Sequence, residues 1–136
     1  NMVACYPKEG GCSFGAMYKG NWPSPAEWDD FVTPLEDRCE HCFRYATNGT
    51  VTAVGNNEAA EKTIAHLNLD HPELQNLRRD AITGVLEDFD QTHPRALRTA
   101  VQKRIGRLRR SMHQESPSRL RSFVFVLVDA LEAYVP

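Results

Sequence analysis

The chain has 136 residues, 41% of them hydrophobic, and a formal net charge of −2. This composition fits one domain, or a small module joined to a helical one, and excludes a disordered tail. The longest apolar run, Phe123 to Val128, is far shorter than the roughly 18 residues of a membrane span. The first residues lack the basic flank and apolar segment of a signal peptide. We therefore expect a cytoplasmic protein that does not cross a membrane.

Charge is distributed unevenly along the chain. Residues 1–90 carry 7 Lys/Arg against 15 Asp/Glu, whereas residues 91–136 carry 9 against 3. A basic rear half indicates an acidic partner or the phosphate backbone of a nucleic acid. The alternative is that the two halves neutralise each other.

Four cysteines lie in the first third of the chain: Cys5, Cys12, Cys39 and Cys42. Cys39 and Cys42 have the C-x2-C spacing that lets two thiolates face one metal ion, and the glycine-rich loop after Cys5 can bring it to Cys12. Without a secretion signal, this pattern predicts one structural, tetrahedral zinc ion rather than a disulfide framework. Two alternatives stay open: the thiols are buried and free, or Cys5 and Cys12 complete a site whose other ligands precede Asn1.

A β-hairpin is predicted at Asn48-Gly49, between two runs with β propensity, residues 42–46 and 50–54. Asn-Gly tolerates the positive φ angles of a two-residue type I′ turn. That turn sets the expected cross-strand pairs, which are Tyr45 with Thr52 and Phe43 with Val54.

Before the hairpin, Ser24-Pro25-Ala26-Glu27 has the pattern of a capping box with Pro at the first helical position. It predicts a short helix that presents Trp28 and Phe31 to the core and ends before Pro34.

After the hairpin, the apolar residues recur with helical periodicity to the end of the chain. The expected helices run from Asn57 to about Asn68, from a second capping box at Asp70 to Phe89, and from His93-Pro94 to Met112. Ser118 is expected to cap a last helix that contains the run FVFVLV. That run could be a strand, but its continuation into DALEAY with i, i+4 spacing favours a buried helix.

The third of these helices is unusually basic. It has no acidic residue between Gln91 and Gln114, and its cations occupy most of the face opposite the apolar stripe. Like charges at i, i+3 and i+4 repel, so the pattern predicts a partner that relieves the repulsion: phosphate groups or an acidic protein surface. A solvated face, or one covered by the acidic helix before it, is the alternative. The candidate binding residues are Arg95, Arg98, Lys103, Arg104, Arg107, Arg109 and Arg110.

The remaining polar residues carry weaker signals. His41 lies inside the C-x2-C motif and could be a metal ligand or a strand residue. None of the other four histidines has a Cys, Ser or Asp arrangement nearby that specifies a nucleophile and its base, so we interpret these four as structural or solvated. Asp29-Asp30, and Asp37 with Glu40, could bind a hard cation, but neighbouring carboxylates on a helix are usually solvated.

One ordered set of short motifs resembles a known family. It comprises Asn1, Cys5 and Cys12, then Lys19-Gly20, PLED at 34–37, F-x-Y and G-x-V around the hairpin, and the helical segments 59–69 and 72–82. In this order they resemble the HNH-type nuclease subunits of the Septu anti-phage system and related retron-associated effectors. The resemblance runs from Asn1 to about Phe89.

The resemblance implies a zinc-supported ββα-metal nuclease core followed by a helical tail. It places Asn1, a candidate catalytic residue, on the middle Asn of the HNH pattern, and Cys5 and Cys12 on the second zinc pair. It places Lys19 on the Lys-Gly that follows, which makes Lys19 a further candidate for nucleic-acid or partner binding. The first cysteine pair and the general-base His of the family would precede Asn1, and residues 13–18 replace the shorter Asn-containing run that supplies the last metal ligand. We therefore expect the C-terminal part of a longer nuclease, which by itself lacks the general base.

These observations predict an α+β, mainly α fold: an HNH remnant (1–33), a hairpin segment (34–56) and a helical domain (57–136). The expected function is that of the C-terminal portion of a DNA endonuclease acting in anti-phage defence beside an ATPase subunit. It would use structural Zn²⁺ and Mg²⁺ or another divalent ion. The alternative is a non-catalytic interaction module, a zinc knuckle joined to a helical bundle that docks a partner protein.

Overall fold

The computed structural model describes residues 12–36, 39–112 and 124–134 of the chain. It is mainly helical with one two-stranded antiparallel sheet. In chain order, the elements are α1 (Ala16–Lys19), a first 3₁₀ helix (Pro25–Asp30), a second 3₁₀ helix (Cys39–Cys42), β1 (Phe43–Tyr45), β2 (Val51–Ala53), α2 (Glu58–Leu67), α3 (Pro72–Glu87), α4 (Pro94–Met112) and α5 (Val124–Tyr134). None of the helices in these ranges has both the length and the apolar character that a membrane span needs.

The described residues fall into two compact units. We call residues 45–49, 76–112 and 124–134 the helical unit, and residues 12–36, 39–44 and 50–75 the N-terminal unit.

The core of the helical unit is built from the apolar stripes of α3, α4 and α5. Ile82, Val101 and Leu131 are its most deeply buried large side chains. Helical periodicity predicts Val101 and Leu131 in the buried stripes of their helices, and both are confirmed. The stripe predicted for α3 (Leu74, Leu77, Ala81, Val85 and Phe89) was partly wrong, because Leu77 is 40% exposed and the neighbouring face with Ile82 is buried instead. The run FVFVLV is also helical from Val124 onward, and α5 buries six of its eleven residues. An uninterrupted apolar run therefore forms a helix here because it packs against apolar neighbours on most sides.

The helix starts are set by local side-chain bonds. Asn57 caps α2, since its side chain accepts a hydrogen bond of 3.0 Å from the Ala60 amide. At the start of α3, the Nδ1 atom of His71 accepts from the Glu73 amide at 3.2 Å. The prediction that Asp70 forms a capping box was wrong. Asp70 Oδ1 instead accepts from the backbone amide of Val51, 3.0 Å away, and so joins α3 to the strand β2.

The first 3₁₀ helix has the predicted capping box. The Ser24 hydroxyl donates to Glu27 Oε1 at 2.6 Å, and this bond is the main reason that the pKa of Glu27 lies below its usual value. The expectation that Trp28 points into the core was wrong, because 53% of its surface is exposed. Side chains three residues apart eclipse in a 3₁₀ helix, so Trp28 lies against Phe31 at the surface.

The hairpin is present, but its predicted turn and register were wrong. The Gly49 amide donates to the Ala46 carbonyl at 2.9 Å, so the turn spans residues 46–49, and Gly49 itself has φ 90°. Asn48 does not have the positive φ that a type I′ turn requires. The Val54 amide donates to the Cys42 carbonyl at 3.0 Å. This bond places Phe43 opposite Ala53 and Arg44 opposite Thr52, one residue away from the predicted register.

A buried arginine fixes the tip of the hairpin in the helical unit. Arg78, on α3, is only 5% exposed. Its Nη1 atom donates to the Gly49 carbonyl at 2.6 Å, and its guanidinium carbon lies 5.6 Å from the centre of the Tyr45 ring. The carbonyl and the ring face offset the cost of burying the charge.

Replacing Gly49 with Val should destabilise the fold by about 1 kcal/mol or more, because a β-branched residue resists the positive φ at this position. Gly84→Ala is the control, since Gly84 is helical, is exposed and has open space around it. That change should stabilise the chain by about 0.5–1 kcal/mol. Equilibrium urea unfolding measures both, and equal stability of Gly49→Val and wild type would contradict the turn.

Replacing Arg78 with Met should cost about 1.5–3 kcal/mol, since it removes a charged hydrogen bond and leaves the buried Gly49 carbonyl without that donor. Arg79→Met is a matched control on the next residue. Arg79 is exposed and pairs at 3.5 Å with Asp80 at the surface, so its loss should change stability by less than about 0.5 kcal/mol. Similar unfolding midpoints for the two variants would show that Arg78 does not hold the hairpin.

Candidate functional site

The cations of α4 divide into an outward stripe and two flanks. At about 100° per residue, Leu97, Val101 and Leu108 define the buried face. The opposite face lies along Arg95, Thr99, Lys103, Arg107 and Arg110, at positions i, i+4, i+8, i+12 and i+15. We call the four cations of this set, together with Arg98 beside them, the cationic stripe; all five are exposed.

The two flanking arginines are bound to carboxylates of neighbouring helices. Arg104 Nη2 lies 3.1 Å from Asp88 Oδ2, just beyond α3, and the Arg104 side chain is only 22% exposed. On the other flank, Arg109 pairs with Glu132 of α5. Among the described residues, the five members of the cationic stripe make no ion pair. The acidic residues before α4 therefore neutralise one flank of the helix and leave the outward stripe charged.

The start of α4 strengthens the positive potential. Its first turn has no acidic residue and contains Arg95, although the helix dipole favours negative charge there. Like charges also repel along the helix, as between Lys103 and Arg107 at i, i+4. Both effects favour a bound anion along the cationic stripe.

Cys39 and Cys42 lie at the two ends of the second 3₁₀ helix. Three residues make one turn of such a helix, so the two thiols lie on the same side. Both are free and half-buried. The pKa of Cys39 is raised, first by burial and then by the charge of Glu40, whose Oε2 atom lies 3.8 Å from its sulfur.

Among the residues described in 12–36, 39–112 and 124–134, no group of three or more Cys, His, Asp or Glu side chains could hold a metal ion. Cys12 is disulfide-bonded, and Cys5 lies outside the described residues. A sulfur in a disulfide does not ligate zinc, so the disulfide and zinc binding are alternatives for Cys12. The four-sulfur zinc site stays a prediction.

The other predicted site residues have local partners or lie outside the described ranges. Lys19 Nζ donates to the carbonyl of Trp22 at 2.6 Å, a bond that fixes the loop after α1. Asp30, a candidate cation ligand, pairs with Lys62 at 2.7 Å. Asn1 and Asp37 belong to the undescribed residues.

The structural interpretation of the histidines is confirmed at two positions. His71 and His93 each accept a backbone hydrogen bond from the residue two positions ahead, at 3.2 Å, at the start of α3 and of α4. His66 stacks on Trp22, and His113 is not among the described residues.

Sequence reasoning missed the contacts that connect distant residues. The buried role of Arg78, the pairing of Arg104 with Asp88 and the aromatic contacts of Trp22 join residues 16 to 44 positions apart. No local sequence pattern predicts such pairs, although a charged residue at position 78 of α3 could have indicated a buried partner.

Comparison of the chain with family models, with characterised proteins and with solved structures finds no match. The resemblance to HNH-type nucleases therefore rests on the sequence motifs alone.

The raised pKa of Cys39 predicts slow alkylation. In reduced protein at neutral pH, iodoacetamide should modify Cys39 more slowly than it does after unfolding in guanidinium, and the difference should shrink as the pH rises. If the C-x2-C pair binds metal, equimolar zinc should protect Cys39 and Cys42 together. Mass spectrometry of the modified peptides measures both effects. Equal rates in folded and unfolded protein would contradict the burial of this thiol.

Proposed function

We propose that this chain binds the phosphate backbone of DNA through α4, as the C-terminal portion of an HNH-type endonuclease. In this proposal the protein acts in the cytoplasm, in anti-phage defence, beside an ATPase subunit. The observation that carries DNA binding is the cationic stripe: five exposed cations without a carboxylate partner among the described residues. The nuclease assignment is carried by the motifs from Asn1 to Phe89.

The dimensions of the stripe suit a nucleic acid backbone. From Arg95 to Arg110 it extends roughly 22 Å along the helix, at 1.5 Å per residue. Duplex DNA presents about one phosphate charge per 1.7 Å of its axis, so the stripe can meet several phosphates at once. Each contact releases counterions from the DNA, and the repulsion between neighbouring cations on α4 falls.

The side chains of the stripe favour phosphates over bases. No aromatic residue lies on the outward face of α4, so the helix offers no platform for base stacking. Arginine forms forked hydrogen bonds with phosphate oxygens, and such contacts position a protein on DNA without reading its sequence. We therefore expect binding with little sequence preference.

The cysteines have a supporting role in this proposal. Cys39 and Cys42, on one side of a 3₁₀ helix, supply two of the four ligands of a structural zinc ion, and Cys5 and Cys12 in reduced form supply the others. Such an ion would stabilise the small N-terminal unit. A separate divalent ion such as Mg²⁺ would serve the phosphodiester chemistry, together with a general-base His in the family that the chain resembles.

A second candidate function is a non-catalytic interaction module. Several large apolar side chains of the N-terminal unit are exposed, and this observation favours such a module. The exposed fraction of the side chain is 69% for Met17, 53% for Trp28 and 90% for Leu35. Exposed apolar groups on a small unit indicate a protein contact. On this alternative, α4 would dock an acidic surface such as that of the ATPase subunit.

One triple variant tests DNA binding. Changing Lys103, Arg107 and Arg110 to Gln removes three cations of the stripe and leaves the flanking pairs of Arg104 and Arg109 intact. If each side chain contacts one phosphate, the slope of log affinity against log salt concentration should flatten by about 0.9 per contact, or about 2.7 in total. Fluorescence anisotropy with a labelled duplex at several salt concentrations gives the slope.

The matched control removes exposed cations elsewhere. Arg44→Gln on β1 and Arg79→Gln on α3 should leave the slope unchanged, since neither belongs to the stripe. If the triple variant keeps the wild-type slope but no longer co-purifies with the ATPase subunit, α4 is a protein-docking helix. If neither measurement changes, the stripe is a solvated face and both proposals for α4 fail.

A further inference from the structure

A run of aromatic rings crosses the surface of the N-terminal unit. Trp28 meets Phe31 edge-on with ring centroids 6.0 Å apart, and Phe31 meets Trp22 in the same way at 5.4 Å. Trp22 in turn stacks on His66 at 4.0 Å, with only 3° between the ring planes. We call these four side chains the aromatic run. Both of its ends, Trp28 and His66, are exposed to solvent.

The aromatic run is held in place by bonds on both sides. The Lys62 ammonium of α2 donates to Asp30 Oδ1 at 2.7 Å. The Val32 amide donates at 2.9 Å to the hydroxyl of Thr63, and that hydroxyl donates to the Ala59 carbonyl. The segment that carries Trp28 is thus tied to one face of α2. A surface ordered before binding loses less entropy when a ligand arrives.

Carboxylates border the aromatic run. Glu27, Asp29 and Asp30 flank Trp28 on the first 3₁₀ helix. Trp22 is among the groups that lower the pKa of Glu27, after the hydroxyl of Ser24, so this carboxylate lies beside the run. Asp29 is exposed and makes no ion pair among the described residues.

Among the described residues, cations near the run are few and already engaged. Residues 12–36 contain a single cation, Lys19, against four carboxylates, and its ammonium is bound to the Trp22 carbonyl. On α2, Lys62 is bound to Asp30. The border of the aromatic run is therefore negative, which excludes nucleic acid phosphates as its ligand.

We propose that the aromatic run is a docking surface for a basic segment of a partner protein, one that carries Arg or Lys beside apolar side chains. A guanidinium or ammonium group is attracted to the face of a tryptophan ring, and the carboxylates of Asp29 and Glu27 supply the opposite charge. The exposed part of Trp28 gives the apolar neighbours of that cation a surface to cover. This inference is independent of the proposed DNA binding, which uses other residues in the helical unit. It deepens the second candidate function, which rests on the same exposed Trp28.

The test uses a defined probe, a fluorescein-labelled peptide of alternating arginine and leucine residues, read by fluorescence anisotropy. Trp28→Ala should weaken its affinity about fivefold, whereas Trp28→Phe should keep it within about twofold, because a phenyl ring retains part of the cation–π attraction. Asp29→Asn should weaken binding about twofold and reduce its dependence on salt. Both sites are exposed, so thermal melting should show that the variants stay folded.

The controls separate this surface from general charge attraction. Leu77→Ala removes an exposed apolar side chain from the helical unit and should leave the affinity unchanged. A peptide with glutamate in place of arginine should not bind. The proposal is overturned if Trp28→Ala binds the basic peptide as tightly as wild type, if the acidic peptide binds equally well, or if Trp28→Ala weakens binding of duplex DNA instead. It is also overturned if wild type sediments as a dimer and Trp28→Ala as a monomer, because a second copy of the chain would then cover Trp28.

Discussion

The helical unit depends on one buried charge, the guanidinium group of Arg78. A guanidinium cannot lose its proton in a protein, so at 5% exposure it must be satisfied by fixed partners. The Gly49 carbonyl at 2.6 Å and the Tyr45 ring provide them, and both belong to the hairpin tip. Because Tyr45 also packs against the core cluster of α3, α4 and α5, the polar contact and the apolar core fix the same five residues of the hairpin. A short hairpin of two three-residue strands is marginal in isolation, and this attachment explains why it is ordered.

The packing of that core determines which cations of α4 are paired and which are available to a ligand. Arg104 and Arg109 lie at the edges of the buried stripe, where carboxylates at Asp88 and Glu132 come within reach. The five cations of the stripe are exposed and have no carboxylate partner among the described residues. The sequence shows seven cations on successive turns of one helix. Only the positions of the neighbouring helices show which arginines are paired within the fold and which cations are available to a ligand. This separation is why the proposed binding set contains five residues rather than seven.

The elements that the sequence predicts well are those decided by short-range chemistry. The periodicity of α2 to α5, the Asn57 cap and the Ser24–Glu27 capping box involve residues within four positions of each other, and all are present. The failures involve partners farther away. Asp70 leaves the helix start because the Val51 amide, 19 residues earlier, is a competing donor. The hairpin register shifts because the turn spans the four residues 46–49, of which only the last, Gly49, has a positive φ. Trp28 is exposed because a 3₁₀ helix places it on Phe31 at the surface.

The opposite charges of the two candidate surfaces give each a different response to pH. Arginine stays protonated over the whole accessible range, so acidification leaves the cationic stripe of α4 charged. Carboxylates titrate in the acidic range, and the pKa of Glu27 is lowered, chiefly by its bond to Ser24, so this residue keeps its charge at a pH where an ordinary carboxylate becomes protonated. Because the pKa of Glu27 is lowered in the folded protein, the stabilisation from the Ser24–Glu27 bond is complete above the ordinary carboxyl pKa. That stabilisation is lost as the pH falls through the lowered pKa of Glu27. Acidification through the lowered pKa of Glu27 should therefore weaken the binding of a basic ligand to the aromatic run, while an anionic ligand of α4 stays bound. Salt, in contrast, screens both surfaces, so only pH distinguishes the two electrostatic contributions within one chain.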